Sequence, residues 1–422
     1  MHSRATTDHS EITLGTSTFS PHSMRLDLIK SHIHRPMHKL DTRKDAIRGF
    51  SPAWFTASMG TGMVCVLLHG FPYSCQPLRY IAMGVGMLNL LMFLGFLALF
   101  TWRLAQYRDL NIILLHPQLS MPLGAIPMAL ATVISTIVAI LTPYNLSWVP
   151  MLALVLWCIH LCLAIPMFLF IPFVAISHQT HKFELVNATL LLPVVTTVVA
   201  SSVGATVAAL FEGTIAVAVV LISYMLWAMG LGTSLMIITF YVIRLMLHKL
   251  PPSEIIASTF LPLGPLGQSS YGIQLLGSQA QRLLPGLLPQ IQYLGDFLYC
   301  MGFFLGLALW ALAIWWFTHA LCSVVYRRIH GPVPFNLGWW AFIFPAGTFA
   351  LSSNELWVTT GFTFFRVLAS VVSAGIILMW IFVFSNTIRY GWTGELLKPI
   401  NISRLELQKD PETTASTPIV QV

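Results

Sequence analysis

The sequence predicts an all-α polytopic membrane protein whose ten transmembrane helices form five pairs, with the odd, bent helices lining a central pore. Three observations predict it. Hydrophobic residues make up 56% of the chain and charged residues only 9%, against about 25% charge in ordinary soluble domains. Between Leu110 and His181 there is no Asp, Glu, Lys or Arg, far more than the roughly 20 residues that cross a bilayer. The apolar residues also come in long runs rather than the alternation of a barrel. That leaves helices as the structure that satisfies every backbone group in lipid.

Residues 1–49 are polar, rich in His, Ser and Thr, and lack the apolar core of a signal peptide. They are expected to form a largely disordered cytoplasmic tail. Ten apolar runs follow, near 51–70, 78–101, 120–141, 148–176, 186–210, 214–245, 254–276, 292–324, 336–355 and 361–388. Residues 50–388 thus make one membrane domain, and 389–422 a second polar tail. With a cytoplasmic N-terminus, the inner loops hold Arg103, Arg108, Lys182, Arg244, Lys249, Arg327 and Arg328, whereas the outer side holds Arg79 and Arg282. That bias is the one expected of cytoplasmic loops. It accounts for the net charge of +7 without a nucleic-acid partner. It also places both tails in the cytosol and the Asn145-Leu-Ser147 sequon outside.

The odd spans carry backbone breakers. Gly60 and Gly62 lie in the first, Gly124 and Pro127 in the third, and Pro193 and Gly204 in the fifth. The seventh holds Pro262, Gly264, Pro265 and Gly267, and the ninth Pro345 and Gly347. Among even spans only the fourth has an interior proline, Pro166, with Pro172 near its end. Proline removes a backbone hydrogen bond and pushes on the preceding turn. In a membrane that is tolerated where the freed backbone is buried in protein or lines a wet cavity. Repeated interrupted helices point to a transport path. The stretch Asn336–Glu355 reads as a span broken at Phe344-Pro345, with Gly347 loosening the next turn.

Other residue types exclude other chemistry. No carboxylate dyad, nucleophile–base pair or metal set is visible in the spans, so no enzyme, metal or cofactor is predicted. Cys158 and Cys162 share a helix face without further ligands. His178 and His181 form an isolated pair in a loop, and His160 and His319 lie in even spans as packing residues. No Gly-x-x-x-x-Gly-Lys-Ser/Thr motif occurs to support direct ATP drive.

The first span, Phe50-Ser-Pro-Ala-Trp-Phe-Thr-Ala-Ser-Met-Gly-Thr-Gly62, resembles the signature of the tellurite-resistance/dicarboxylate transporter family. That family is voltage-dependent anion channel-like and related to the slow anion channels of guard cells. Similarity runs over 48–390. Four segments are most similar to its fungal sulfite efflux pumps. They are Leu123-Gly-Ala-Ile-Pro-Met128, Leu191-Leu-Pro-Val-Val-Thr-Thr-Val-Val-Ala200, Leu263-Gly-Pro-Leu-Gly-Gln-Ser-Ser-Tyr-Gly272, and Phe344-Pro-Ala-Gly-Thr348 with Asn354-Glu-Leu356 and Phe365-Arg-Val-Leu368. The third span departs from the family pattern, with Ala125-Ile126 before Pro127 and Ala129 after Met128.

The resemblance implies a plasma-membrane transporter that exports sulfite or bisulfite. The alternatives are a proton-coupled malate or dicarboxylate permease and a gated anion channel. It implies a homotrimer in the bilayer, each subunit with its own pore, and an aromatic plug that maps to Phe344. An anion path must attract without trapping, and no Lys or Arg lies in the middle of an odd span. The alternative is the amide end of a broken helix, with about half a positive charge. Such ends are expected at Gly60–Gly62, Pro127, Pro193, Gly264–Gly267 and Pro345. Hydroxyl donors are Thr61, Thr132, Thr196, Thr197, Ser269, Ser270 and Thr348, each of which has the alternative of bonding its own helix. Gln268, Ser269 and Ser270 form the most polar turn of any span. Glu355 and Arg366 stand near the outer leaflet and are expected to pair, since a lone charge there is costly.

Overall fold

The computed structural model describes Ile47, residues 49–287 and residues 292–397. Most of both expected tails lies outside these residues. Among the described residues there is no strand. The long helices are α1 (Phe55–His69), α2 (Gln76–Tyr107), α3 (Ala125–Leu141), α4 (Val149–His178) and α5 (Leu191–Ala208). They continue with α6 (Gly213–His248), α7 (Leu263–Leu287), α8 (Leu294–His330), α9 (Ile343–Thr360) and α10 (Thr363–Trp392). Two short helices, Leu110–Leu115 and Pro117–Ser120, join α2 to α3. Helix α10 runs past the expected boundary at 388, so residues 389–392 are helix rather than tail. Seven helical segments, which contain α2, α3, α4, α5, α6, α8 and α10, are long and apolar enough to cross a membrane.

Burial divides the helices in two sets. The apolar windows of α2, α4, α8 and α10 are 28% buried, while those around α3 and α5 are 78% and 89% buried. Helices α1, α7 and α9 are buried along nearly all their length. The five buried helices touch in the cyclic order α1, α3, α5, α7, α9 and back to α1. Their approach depends on small residues. A Cβ on Gly267 would stand 2.6 Å from the Thr348 hydroxyl and 2.8 Å from the Phe349 amide. A Cβ on Gly347 would run into the Met63 side chain.

Each even helix lies against its own odd helix and against the next one round the ring. A polar side chain fastens it to that next helix. The Trp157 indole of α4 donates to the Ala200 carbonyl of α5 at 2.9 Å, and Trp227 of α6 to the Ser269 carbonyl of α7 at 3.0 Å. Trp310 of α8 donates to the Ser353 hydroxyl of α9 at 2.9 Å, and Trp380 of α10 to the Thr61 hydroxyl of α1 at 3.1 Å. In α2 the same place is taken by Asn89, which accepts from Ser58 of α1 at 2.8 Å and donates to Thr132 of α3 at 3.4 Å. An indole buried in such surroundings needs an acceptor, and these acceptors hold the ring together.

A second repeat lies at the other end of each pair. Arg103 of α2 donates to the Phe50 carbonyl ahead of α1 and pairs with Asp109 at 2.7 Å. Gln179, just after α4, donates to the Leu114 carbonyl and Ser120 hydroxyl ahead of α3 at 2.8 and 3.0 Å. Arg244 of α6 holds the Glu184 carbonyl ahead of α5 at 2.7 Å, and Arg327 of α8 holds the Leu250 carbonyl ahead of α7 at 2.5 Å. The fifth pair uses rings, Tyr390 of α10 stacking on Phe335 at 5.4 Å. Several of the cations counted as cytoplasmic loop charge are therefore clasps on backbone carbonyls.

The breakers do not interrupt the odd helices in their middles. Each odd helix starts with a tighter lead-in: Pro52–Trp54, Met121–Gly124, Ala188–Leu190, Ser253–Phe260 and Leu337–Phe342 are 3-10 helix. The α-helix then begins, and its third residue is Pro127 in α3, Pro193 in α5, Pro265 in α7 and Pro345 in α9. Ala57 holds that position in α1. A proline there sacrifices no helical bond, because the first four amides have no partner within the helix. The expected mid-span break at Phe344-Pro345 is thus a change of helix type just before Ile343.

Candidate functional site

A cavity of about 230 Å³ lies among the five odd helices, and all five line it. Helix α1 supplies Met63, Val66 and His69, and α3 supplies Thr132, Ser135 and Val138. Helix α5 supplies Val199, Ser202, Val203 and Thr206, and α7 supplies Gln268 and Tyr271. Phe344, Leu351, Asn354 and Glu355 come from α9. The spacing of three or four residues in α3, α5 and α7 is that of one helix face.

Phe344 marks one end of the cavity. It is the second residue of α9, whereas the other α9 residues lining the cavity stand seven or more positions further on. At 1.5 Å per residue the separation from Leu351 is about 10 Å. Its ring is 3% exposed. Met63, which also lines the cavity, reaches over Gly347 one turn above it. Phe342 turns the other way, edge-on to Phe260 at 4.9 Å and to Trp339 at 5.5 Å.

Of the residues expected at the gate or on the path, the cavity brings together Phe344 and Gln268, with Thr132, and it also takes in Glu355, which was expected in an outer ion pair. The other candidates serve the scaffold. Thr61 donates to the Ala57 carbonyl at 2.8 Å and accepts from Trp380. Thr196 donates to Pro193 at 2.7 Å and faces the Ala164 carbonyl of α4 at 3.3 Å. Thr197 donates to Val194 at 3.1 Å. Thr348 donates to Pro345 at 2.7 Å. Ser270 donates to the Gly306 carbonyl of α8 at 2.6 Å and meets Ser352 at 2.5 Å. Ser269 is fully buried and its carbonyl receives Trp227.

The expected polar turn therefore splits. Helical phase sends Gln268 to the cavity and the Ser270 hydroxyl to α8 and α9, and leaves the Ser269 hydroxyl buried without a partner. Three of the glycines are points of close approach: Gly60 against Trp340, Gly62 against Thr132 and Asn89, and Gly267 against Thr348, while a Cβ on Gly264 would make ordinary contact with the Pro345 ring at 3.8 Å. Pro127 and Pro193 are buried in the first turns of their helices and do not line the cavity.

The expected Glu355–Arg366 ion pair is not formed. Among the described residues the ion pairs are Arg103–Asp109 and Arg282–Glu212. Arg366 instead donates to the Pro72 carbonyl at 3.1 Å and lies over the rings of Tyr73 and Trp357 at 4.0 and 4.8 Å. Aromatic faces and a carbonyl satisfy its charge, and Glu355 is left facing the cavity.

The electrostatics of the lining are mild. It contains no Lys or Arg, and Glu355 is its one carboxylate. Most of its hydroxyl protons are already committed. Thr132 donates to Ala129 at 2.8 Å, Ser202 to Val199 at 3.0 Å and Thr206 to the Ser202 carbonyl at 3.1 Å. Gln268 donates its amide to Ser202, and its buried carbonyl oxygen has no partner. A lining of weak dipoles with no Lys or Arg offers little to capture an anion. The sequence reading missed Met63, His69, Ser135, Ser202, Thr206, Tyr271 and Asn354. Their signal is the recurrence of polar residues at three- and four-residue steps: 132 and 135, 202 and 206, 268 and 271.

Other clusters carry no comparable geometry. His178 meets Ser177 at 2.6 Å and His181 meets Gln179 at 3.1 Å, so the two rings have separate partners. Among the described residues no group of three or more His, Cys, Asp or Glu is placed to hold a metal ion.

Comparison with known proteins adds an independent finding. Residues 49–388 match the model of the voltage-dependent anion channel family, SLAC1. The chain is similar to the sulfite efflux pump SSU1 of Arthroderma benhamiae, 36% identical over 84% of this chain and 94% of the relative. It is similar to SSU1 of Candida albicans, 28% identical over 74% of this chain and 67% of the relative. It also matches the malic acid transport protein of Schizosaccharomyces pombe, 19% identical over 88% of this chain and 85% of the relative.

Proposed function

The chain belongs to the voltage-dependent anion channel family, and from that premise we propose that it exports sulfite or hydrogensulfite from the cytosol across the plasma membrane. The observation that carries the reading is the cavity itself. All five odd helices line it, Phe344 stands at one end, and no Lys or Arg is present to trap an anion. The similarity to sulfite efflux pumps supports the choice of substrate. A cytosol-negative potential favours anion exit by roughly 2.3 kcal/mol per charge per 100 mV, so export requires no ATP.

In this reading all ten long helices cross the bilayer as five pairs. The odd helices enclose the path, both tails are cytosolic, and three such subunits form a trimer with a pore in each. Phe344 is the gate, with Pro345 fixing the turn that presents it, and Gln268 lies on the path. The helix N-termini at the five lead-ins lend the cytosolic entrance a positive potential. Thr61, Thr196, Ser269, Ser270 and Thr348 hold the wall of the path rather than its lumen, and Gly60, Gly62 and Gly267 set its close packing.

The malic acid relative raises the alternative of a dicarboxylate permease. The lining has no Lys or Arg to clasp the two carboxylates of malate, whereas hydrogensulfite passes with a single charge. Purified protein in vesicles separates the two. Sulfite efflux driven by membrane potential, with no malate movement and no ATP hydrolysis, is the expected result. Malate movement without sulfite movement transfers the assignment to the permease.

A further inference from the structure

Glu355 has no evident place in an anion path. It is the one carboxylate of the lining, it stands eleven residues beyond Phe344 on α9, and Arg366 does not neutralise it. Among the described residues it has neither an ion pair nor a hydrogen bond. A charge left unpaired in a membrane protein is costly and marks a functional position. We infer that Glu355 is a proton-controlled charge barrier at the outer end of the path, which holds back anions when ionised and lets them pass when protonated. This inference rests on the transport reading above.

The groups around it set the sign. His69 of α1 and Tyr271 of α7 line the same cavity. Arg79 at the start of α2 is within electrostatic reach of His69. Arg366 is held by Tyr73, Trp357 and Pro72, and Arg282 by Glu212. Acidification protonates Glu355 and charges His69, and both changes favour an anion. Two charges about 12 Å apart at an effective dielectric near 20 change an equilibrium about tenfold. The barrier is therefore about tenfold for hydrogensulfite and about a hundredfold for the sulfite dianion.

The test is sulfite efflux from vesicles as a function of pH on the outer side, for the wild type and for Glu355→Gln. Speciation of sulfite and titration of His69 are common to both, so the ratio of the two fluxes isolates Glu355. The expected ratio is near one at acidic pH and rises at least tenfold at alkaline pH. A second variant, Asn354→Asp, adds a carboxylate at the adjacent cavity position. Relative to the wild type, its flux is expected to fall at least tenfold between acidic and alkaline pH. A Glu355→Gln ratio that does not change with pH, whether near one or low throughout, overturns the inference. An Asn354→Asp flux that tracks the wild type at every pH also overturns it. Absence of sulfite efflux from the wild type at any pH is a different outcome and overturns the transport reading instead.

Discussion

Two phenylalanines two residues apart face different surroundings, and the difference is measurable. Phe344 lines the cavity, whereas Phe342 packs against Phe260 and Trp339. Truncating a ring in a packed core costs about 3–5 kcal/mol. Phe342→Ala is therefore expected to lower the amount of folded protein, with no gain in flux per molecule. Phe344→Ala is expected to raise sulfite efflux or anion current normalised to surface protein. A rise for Phe342→Ala with no change for Phe344→Ala would reverse the assignment of the gate. Phe344 was singled out through the family resemblance, as the phenylalanine before the ninth-span proline, and the structure places it in the cavity lining. Gln268 was named as part of the most polar turn of any span, and only helical phase sets it apart from the two serines beside it. Which hydroxyls face the cavity was not legible in the sequence. A serine or threonine in a membrane helix bonds its own backbone or a neighbouring helix equally well, and only helical phase separates Ser202 on the cavity from Thr196 behind it. The Glu355–Arg366 pair failed for a related reason. Charge complementarity in a sequence takes no account of aromatic faces, and Tyr73 and Trp357 supplied them.

At the scale of the element, the repeated proline is a start signal rather than a kink. Four odd helices place it third, and the alanine at that place in α1 shows that the ring is dispensable there. Pro345→Ala is thus expected to change stability by no more than about 1 kcal/mol, the scale of unfolded-state entropy. Ala350→Pro, in the interior of the same helix, is expected to cost about 3 kcal/mol or more. Thermal unfolding in detergent compares the two, and equal losses would restore the reading of a proline kink. The odd positions of the breakers were visible in the sequence, and so was the alternation of two helix types. The 3-10 lead-ins were not, because no composition distinguishes them from the α-helix that follows. The clasps were also hidden. Arg103, Arg244 and Arg327 read as loop charges until their carbonyl partners are known.

For the whole molecule the open number is how many helices cross the bilayer. Length and hydropathy select seven segments, and leave out α1, α7 and α9. The omission has a physical cause. Helix α1 has only 15 residues, and α9, with 18, is made more polar by Ser352, Ser353, Asn354 and Glu355; they measure about 23 and 27 Å at 1.5 Å per residue. Their 3-10 lead-ins add about 6 and 12 Å at 2.0 Å per residue. Each total comes to about the thickness of the hydrocarbon core or more, roughly 30 Å. Helix α7, with 25 residues, spans about 38 Å. It falls short on hydropathy because it carries glycines, glutamines and serines against protein and cavity instead of lipid. Seven crossings place the two tails on opposite sides of the membrane, and ten place them on the same side. Tags at Met1 and Val422 are both expected to be inaccessible from outside intact cells. A tag in the exposed turn at Asn145, where the backbone turns left-handed at φ 50°, is expected to be accessible. This arrangement puts Arg103, Arg244 and Arg327 on the cytosolic face, as the positive-inside bias requires. Either tail found outside would break the ten-helix topology, and with it the direction assigned to the path from Phe344 toward Glu355.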